Sequence, residues 1–421
     1  MNHSEGAGMR APSYLEVLTV PRYLPIFLAG ALSLWGDYIA RVTIAAVVFQ
    51  RTGSPLATAT TLAVSLIPTF FGRSLVGPVV DRFPYKWVLI WSHLSRGACV
   101  VVLLWLVVIQ AGFVWIFLAL FVLELIGGAS TASNMVLLTD LFEHDKHLYS
   151  RAVGLAAISE QFNQAIGFAI GGSLIAVVGS SVGLLVDLAS FLIAAVVVLL
   201  VVPLRAVRGT RGKGLRGFVS DLSSATGDLV RHPVLARLVI LSAAATLGIA
   251  APEALAIPIA GENGWGGVLM ASPIVGAVFG ILVIGRFDVH AQNRAIIPLA
   301  LAMPLPLLLT ALHPPIAVVA ALFFLSGTMQ AFMVPLQSTF ALVTRPELRG
   351  RIFSLAGSVS VAAAGVSFLV AGWLGGRNDD ALAGVAVSAA ITLIVLCGVA
   401  VTWPYEQVRA EVARAYDARR P

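Results

Sequence analysis

Apolar runs, separated by short polar segments, recur along most of the chain. A helix of about 20 residues crosses the roughly 30 Å hydrocarbon core of a bilayer. The apolar runs are of this length, so the pattern predicts an all-α membrane protein. Its twelve predicted transmembrane helices lie at residues 23–49, 56–79, 87–109, 113–138, 151–177, 181–203, 236–260, 268–286, 295–312, 316–340, 352–373 and 382–403.

The composition supports residence in a membrane. Hydrophobic residues make up 58% of the chain and charged residues 11%, whereas soluble domains carry about 25% charged residues. The formal charge of +6 would suggest nucleic acid in a soluble protein, but here the basic residues lie in loops, so we expect no nucleic-acid partner. The first apolar run lacks a small-residue cleavage site and is interpreted as a retained span.

The basic residues are distributed unequally between the two sides of the predicted membrane. If the N-terminus is inside, every inside loop carries Lys or Arg, and the outside loops carry only Arg51 and Arg377. This bias follows the positive-inside rule. It predicts that both termini are cytoplasmic.

The longest polar stretch between spans divides the chain into two parts. We expect an N-terminal six-helix bundle at residues 1–203, a cytoplasmic linker at 204–235, a C-terminal six-helix bundle at 236–403 and a cytoplasmic tail at 404–421. Part of the linker is amphipathic and is predicted to lie on the membrane surface. A plain connecting role for the linker is the alternative.

The loop after the second span carries a recognisable motif. It reads Gly77-Pro78-Val79-Val80-Asp81-Arg82-Phe83-Pro84-Tyr85-Lys86 and resembles the G-x-L-x-D-R-x-G-R-K signature of the major facilitator superfamily. The resemblance implies a conformational latch, formed here by Gly77, Asp81, Arg82 and Lys86. Pro84 and Tyr85 depart from the signature, which makes this loop less basic than usual.

Other segments resemble one branch of that superfamily, which contains the enterobactin exporter and bacterial macrolide efflux proteins. They are Leu34-Trp35-Gly36-Asp37, Thr52-Gly53-Ser54-Pro55-Leu56-Ala57, Leu94-Ser95-Arg96 and Pro346-Glu347-Leu348-Arg349-Gly350-Arg351. Gly154, Gly167, Gly171 and Gly172 follow the spacing of the superfamily's antiporter motif. The resemblance implies a monomeric multi-pass exporter of the bacterial cytoplasmic (inner) membrane.

Two ionisable residues lie near the middle of the first span. Asp37 and Arg41 are four residues apart, which places them on one face of a helix, where they can pair. Ionisable residues inside a membrane are costly and face the protein interior or a water-filled cavity. We expect Asp37 to couple proton movement to transport, with Arg41 as its partner; a purely structural bridge is the alternative.

A second charged pair is expected between the third and fourth spans. Glu124 lies near the position where the superfamily often has an arginine that takes part in proton coupling. Arg96 in the third span, or Arg41 in the first, would then supply the positive charge, and a bridge between Glu124 and Arg96 would compensate for the missing arginine. Both residues are predicted members of the proton-coupling set.

The fifth span carries a polar stripe. Glu160, Asn163, Gln164 and Gly167 follow spacings of three and four residues, which places them on one helical face. Glu160 is a candidate site for a proton or a cationic substrate, and Asn163 and Gln164 are candidate hydrogen-bonding partners of the substrate. Interhelical packing is the alternative role.

The remaining polar candidates lie further along the chain. Asp187 and Glu253 are placed in the outer half of the membrane, where either could mark the outer mouth, and the flanking prolines predict an irregular helix around Glu253. Gln330 and Gln337 are seven residues apart, share a face and are candidate substrate contacts. Most of the predicted buried carboxylates lie before the linker. We therefore expect the N-terminal half to couple transport to protons, and the C-terminal half to determine mainly the shape of the cavity and its gating.

These features favour a proton-coupled exporter of amphipathic or cationic drugs, siderophores or related metabolites, working by alternating access. A small-metabolite importer or facilitator and a non-transporting membrane receptor or scaffold are the alternatives. An enzyme is not expected, because the sequence shows no phosphate loop, HExxH-like metal site or nucleophile elbow. Cys99 and Cys397 lie in apolar runs, and no metal or cofactor is expected.

Overall fold

A computed structural model describes residues 14–80, 83–143, 145–204, 226–227, 229, 231–261, 263–344, 349–377 and 379–417. The regular elements within these ranges are helices, as expected for a chain whose backbone polar groups must be satisfied inside a bilayer. The α-helices are α1 (Tyr14–Leu18), α2 (Tyr23–Thr52), α3 (Pro55–Val80), α4 (Tyr85–Val108), α5 (Phe113–Leu141), α6 (Lys146–Val178), α7 (Ser180–Val201), α8 (Pro233–Ala260), α9 (Gly266–Ile284), α10 (Val289–Ala302), α11 (Leu305–Leu308), α12 (Ile316–Met329), α13 (Met333–Val343), α14 (Arg349–Gly376), α15 (Ala381–Val401) and α16 (Tyr405–Asp417).

Ten stretches of the described residues are helical, long and apolar enough to cross a membrane. They are Tyr23–Thr52, Tyr85–Val108, Phe113–Leu141, Ser180–Val201, Pro233–Ala260, Gly266–Ile284, Val289–Leu312, Ile316–Val343, Leu355–Gly376 and Ala381–Val401. The other two predicted spans fall in α3 and α6, which are helices of 26 and 33 residues. The count of twelve spans therefore stays a prediction.

Proline affects the helices in a different place from the one predicted. The expected irregularity around Glu253 is wrong, because α8 continues through Pro252 and Pro258 to Ala260. A proline removes a single backbone donor, and this part of α8 is held by the largest buried cluster of the described residues. The ninth predicted span instead ends in a 3-10 turn at Leu309–Leu312, and the tenth is interrupted by a 3-10 turn at Gln330–Phe332.

The N-terminal helices (α2–α7) and the C-terminal helices (α8–α15) meet at one end of the molecule. There α3 packs on α14 and α6 packs on α9. A Cβ at Gly172 of α6 would collide with the backbone of Gly267 in α9, so these glycines allow the two helices to touch through their main chains. The largest buried cluster joins both groups and includes Phe168 and Leu255. We call this the closed end.

The opposite end, which carries α1 and α16, is built differently. One buried cluster there contains Val17 of α1 with Tyr23 and Phe142 from the N-terminal side. Another contains Trp403 and Val408 with helices of the C-terminal group. Among the described residues, the buried clusters at this end thus stay within one group of helices each.

The predicted linker is described only in part. Residues 205–225, which contain most of its basic positions, lie outside the described ranges. Near its end, Leu229 is buried in the same cluster as Val408 of the tail helix α16. The predicted tail is thus helical over Tyr405–Asp417 and packs against the C-terminal helices.

Candidate functional site

An ion pair joins the middle of α2 to α4. Arg96 Nη2 of α4 donates to Asp37 Oδ1 of α2 over 2.7 Å. The Asp37 side chain is 13% exposed and that of Arg96 7% exposed. This pair therefore lies largely out of contact with solvent, and the carboxylate is its more accessible member.

A second ion pair joins α2 to α5. Arg41 donates from Nη2 and from Nε to Glu124 Oε1 over 3.0 and 3.2 Å. The Arg41 guanidinium also lies 5.3 Å from the centre of the Tyr38 ring. Glu124 is almost fully buried, whereas Arg41 keeps 23% of its side chain exposed. Here the cation is the more accessible member.

The partners in these two pairs differ from those predicted. The expected Asp37–Arg41 pair and the expected bridge between Glu124 and Arg96 are both wrong, although all four residues belong to one site. Arg41, the other expected source of positive charge, is the partner of Glu124. The reason is geometric. Spacing of four residues places Asp37 and Arg41 on one face of α2, but the Arg96 side chain reaches Asp37 from α4 and the Glu124 side chain reaches Arg41 from α5.

Asp187 of α7 belongs to the same region. It was one of two residues that could mark the outer mouth, but its side chain is fully buried and lies against α2. A Cβ at Gly36 would lie 2.6 Å from Asp187 Oδ1 and 3.0 Å from Asp187 Cα. The glycine that precedes Asp37 therefore makes room for this carboxyl group. The sequence did not indicate this contact, because the apolar pattern of α7 does not reveal which of its faces meets α2.

The carboxyl oxygens of Asp187 have no hydrogen-bond partner among the described residues. Ser190, one turn further along α7, donates its hydroxyl to the main-chain oxygen of Asp187 over 2.7 Å, which leaves the carboxyl group without that donor. An unpartnered buried polar group is rare in proteins and calls for an explanation. The sequence grouped Asp187 with the buried carboxylates that precede the linker, near Arg41 and Arg96, but did not select it as a proton-coupling residue.

Arg96 is surrounded on several sides. Its guanidinium carbon lies 4.4 Å from the centre of the Phe191 ring of α7. A Cβ at Gly127 of α5 would lie 3.5 Å from the same carbon, so this glycine leaves space for the guanidinium. The Nε atom is buried and has no hydrogen-bond partner among the described residues. His93, one turn earlier in α4, is also buried and lies near Phe191.

The polar stripe of α6 divides into two environments. Glu160 is exposed and Gln164 is half-buried, which leaves both available to a ligand. Asn163 is 2% exposed and donates to Ser159 Oγ over 2.9 Å, so its amide is used within the helix. Gly167 lies against Tyr38, where a Cβ would come 2.6 Å from the tyrosine Cβ. Gly167 and Gly171 thus allow close packing on α2, whereas Gly172 of the same span packs on α9.

The C-terminal candidates are not members of the two ion pairs. Glu253 of α8 is half-buried, and Arg41 of the second ion pair is near enough to act on it electrostatically. Gln330 is half-buried and Gln337 is exposed. A 3-10 turn begins at Gln330, and because such a turn has 3.0 residues per turn instead of 3.6, the two glutamines are offset from the common face predicted for them.

The predicted latch is only partly described. Asp81 and Arg82 lie outside the described residues, and Gly77 lies in α3. Lys86 Nζ donates to the main-chain oxygen of Leu199 at the end of α7 over 2.8 Å. Tyr85, which departs from the signature, donates its hydroxyl to Asp140 Oδ2 of α5 over 2.7 Å.

Asp140 was not singled out from the sequence. Its position near the end of the fourth predicted span was the available signal, since a carboxylate there can accept a bond from the neighbouring span. With Lys86 it ties the start of α4 to the ends of α5 and α7. Within the described residues, no group of three His, Cys, Asp or Glu side chains could hold a metal ion.

Comparisons with known proteins give one family and several solved structures of similar fold. Residues 26–367 match the family described as the Major Facilitator Superfamily. A bacterial homologue of the human lysosomal transporter Spinster, in an inward-facing and unoccupied conformation, is 14% identical with a TM-score of 0.68, over 94% of this chain and 98% of that one. The comparison with curated proteins gives no match.

Two further solved structures are similar. A bacterial homologue of the iron transporter ferroportin, in an inward-facing state, is 16% identical with a TM-score of 0.64, over 92% of this chain and 99% of that one. The nucleoside transporter NupG, in a point-mutant form, is 13% identical with a TM-score of 0.61, over 90% of this chain and 99% of that one. At these identities the likeness shows the fold.

Proposed function

The chain belongs to the Major Facilitator Superfamily, and from this premise we propose that it is a proton-coupled exporter of cationic or amphipathic small molecules. The family consists of membrane transporters, so the prediction that the chain is not an enzyme is confirmed. The proposal concerns what the family leaves open, which is the direction of transport, the coupling ion and the class of substrate.

The proposed topology has twelve spans in two six-helix bundles, with both termini in the cytoplasm of a bacterium and the protein monomeric in its inner membrane. The positive-inside bias supports this orientation. The packing of α1 on α6 and of α16 on α13 is consistent with it, because it brings both ends of the described chain to the end opposite the closed one. In this orientation the closed end faces outward.

The observation that carries the coupling proposal is the buried ion pair between Asp37 and Arg96. A carboxylate near the middle of a span is costly unless it is paired or protonated. Proton binding to Asp37 removes its charge and weakens its attraction to Arg96, so α2 and α4 are held together differently in the two protonation states. Alternating access needs such a two-state contact.

The proposed substrate class rests on the more accessible carboxylates. Glu160 is exposed on α6 and Glu253 is half-buried on α8, one from each group of helices. Carboxylates on both sides attract a cationic ligand, and Gln164 adds a hydrogen-bonding group beside Glu160. The similar structures carry names that refer to different cargoes, so the substrate proposal is based on these residues and not on the fold.

Inverted membrane vesicles test the proposal. We expect the cationic dye ethidium to accumulate in vesicles containing the protein when a proton gradient is imposed, and to leak out when the gradient is collapsed. Asp37→Asn should reduce accumulation to the level of vesicles without the protein. Asp379→Asn is the matched control, because Asp379 is exposed at a helix-connecting loop and has a positive φ of 54° that asparagine tolerates.

The same vesicles separate export from import. Accumulation in inverted vesicles corresponds to export from the cell, whereas accumulation only in right-side-out vesicles would show uptake. Dye movement that is independent of the proton gradient in the wild-type protein would refute the proposed proton coupling. Dye binding without movement in either orientation would favour a receptor.

A further inference from the structure

A buried carboxyl group and a buried guanidinium nitrogen near the two ion pairs are left unused. Asp187 is fully buried and neither of its carboxyl oxygens has a hydrogen-bond partner among the described residues. Arg96 uses Nη2 for Asp37, but its Nε has no partner there. Phe191, one turn from Asp187 on α7, holds the Arg96 guanidinium over its ring. The unused acceptor and the unused donor therefore belong to one packed region.

The ionisable groups around Asp187 come from each helix that packs on α7. From α2 they are Asp37 and Arg41, from α4 they are His93 and Arg96, and Glu124 of α5 lies just behind them. The remaining neighbour, α6, has no ionisable residue after Glu160. Because Arg41 is engaged by Glu124, Arg96 is the cation that Asp187 can share with Asp37.

We propose that Asp187 is a second proton-binding carboxyl group and the alternative partner of Arg96. In the described arrangement Arg96 pairs with Asp37 and the proton is on Asp187. When the guanidinium moves to Asp187, the O–H bond on Asp187 breaks and an O–H bond forms on Asp37, which has lost its cation. The proton and the cation thus exchange places. This inference rests on the proposed proton coupling and identifies the residues that perform it.

The exchange is physically favourable for a site out of water. An ionised carboxylate without a donor is costly in such surroundings, so the carboxyl group that lacks Arg96 is the one that holds the proton. The total charge of the region is the same before and after the exchange, which avoids adding charge to a medium of low dielectric constant. Asp37 is the more exposed of the two carboxyl groups, so protons reach Asp187 through it.

Infrared spectroscopy of the full-length protein in lipid vesicles near neutral pH tests the proposal. The carbonyl stretching band of protonated carboxyl groups is the signal, because exposed carboxyls are ionised at this pH. All samples carry Glu253→Gln, which removes the half-buried carboxyl of α8. We expect the band in this background and its loss on Asp187→Asn. Asp379→Asn, which changes an exposed carboxyl, should leave the band in place.

The exchange predicts a further result that a purely structural role does not. Asp37→Asn should also abolish the band, because Arg96 then moves to Asp187 and ionises it. Combining Asp37→Asn with Arg96→Gln should restore the band, because no cation is left to ionise Asp187. If Asp187→Asn does not fold, Asp187→Glu should keep the band at a shifted frequency.

Two outcomes would overturn the inference. A band that survives Asp187→Asn in folded protein would show that the proton lies elsewhere. A band that survives Asp37→Asn would show that Arg96 does not change partner. The predicted band changes could all occur while dye movement proves independent of the proton gradient. That result would refute the proposed function but would still support Asp187 as a proton-binding group.

Discussion

At the scale of single residues, the charged site depends on which helix each side chain reaches. Asp37 and Arg41 share a face of α2, yet one pairs with α4 and the other with α5. Two cross-links from one helix fix its rotation as well as its position. A change of protonation at Asp37 therefore alters one cross-link while Arg41 keeps α2 attached to α5.

Gly36 provides a test of the close contact between α2 and α7. Gly36→Ala places a methyl group against the Ser190 hydroxyl, the Asp187 carboxyl and the Asp187 main chain. Overpacking of this kind costs about 1–3 kcal/mol. We expect a lower melting temperature, measured by tryptophan fluorescence in detergent, together with loss of dye accumulation.

Gly30 in the same helix is the matched control, since no atom lies within 4 Å of the position of its Cβ. Gly30→Ala should leave the melting temperature unchanged or raise it slightly, because alanine is the better helix former. Equal effects of the two substitutions would show that the contact with Asp187 does not set the stability of this region.

The sequence was sufficient to select most members of the charged site but not their partners. The cost of charge in a membrane singled out Asp37, Arg41, Arg96 and Glu124 as residues that face the interior. A helical pattern specifies the face of a side chain and not the neighbouring helix that the face meets. For this reason the predicted pairs differ from the observed ones, and the contact between Asp187 and Gly36 was not predicted.

At the scale of helices, prediction from the apolar pattern succeeded where the bilayer dictates the structure. A run of about 20 apolar residues has few alternatives to a helix in a membrane, and ten predicted spans appear as such helices. The effect of proline was harder to anticipate. α8 continues through two prolines, whereas the segment after α10 turns into a 3-10 helix beyond Pro304 and Pro306. The packing around each proline decides this, and packing is not visible in the sequence.

The start of α15 makes a prediction about pH. Asp380 Oδ1 accepts from the Ala383 main-chain nitrogen over 2.9 Å, and Oδ2 lies 2.8 Å from His313 Nε2. The Ala383 bond, assisted by His313, holds the pKa of Asp380 below its usual value. The ionised carboxylate therefore stabilises the folded protein above that usual value, and this stabilisation is lost as the pH falls through the lower, folded-state pKa.

We expect Asp380→Ala to lower the melting temperature at neutral pH, as loss of an N-terminal helix cap costs about 1 kcal/mol. The difference from wild type should persist at about pH 5 and shrink only below about pH 4. Asp379→Asn, measured over the same range, controls for the loss of a neighbouring exposed charge. A difference between wild type and Asp380→Ala that stays constant down to low pH would contradict the role of the ionised carboxylate.

At the scale of the whole molecule, the described conformation is closed at one end. The N-terminal and C-terminal helices touch through the Gly172–Gly267 contact and through α3 and α14, while at the end that carries α1 and α16 the described buried clusters remain separate. The antiporter-like glycine spacing of the fifth span indicated close packing. It did not indicate that Gly172 packs on the other group of helices, because that partner lies about 100 residues away along the chain.

If transport proceeds by alternating access, the closed end must open in each cycle, and a covalent bond across it should stop transport. A Cβ at Gly372 of α14 would lie 2.5 Å from the Cβ of Ala59 in α3. Disulfides join Cβ atoms about 3.8 Å apart, so Ala59→Cys and Gly372→Cys can be bridged after a separation of about 1 Å. Both native cysteines, Cys99 and Cys397, are replaced by serine beforehand.

We expect mild oxidation to cross-link this pair and to stop dye accumulation, and reducing agent to restore it. Gly30→Cys combined with Gly372→Cys is the control pair, because Gly30 has open space around the position of its Cβ and should not form the bond. Each single cysteine variant should transport in oxidising conditions. Full transport by the cross-linked protein would mean that this end stays closed throughout the cycle, and the path of the substrate would then have to avoid the contact between α3 and α14.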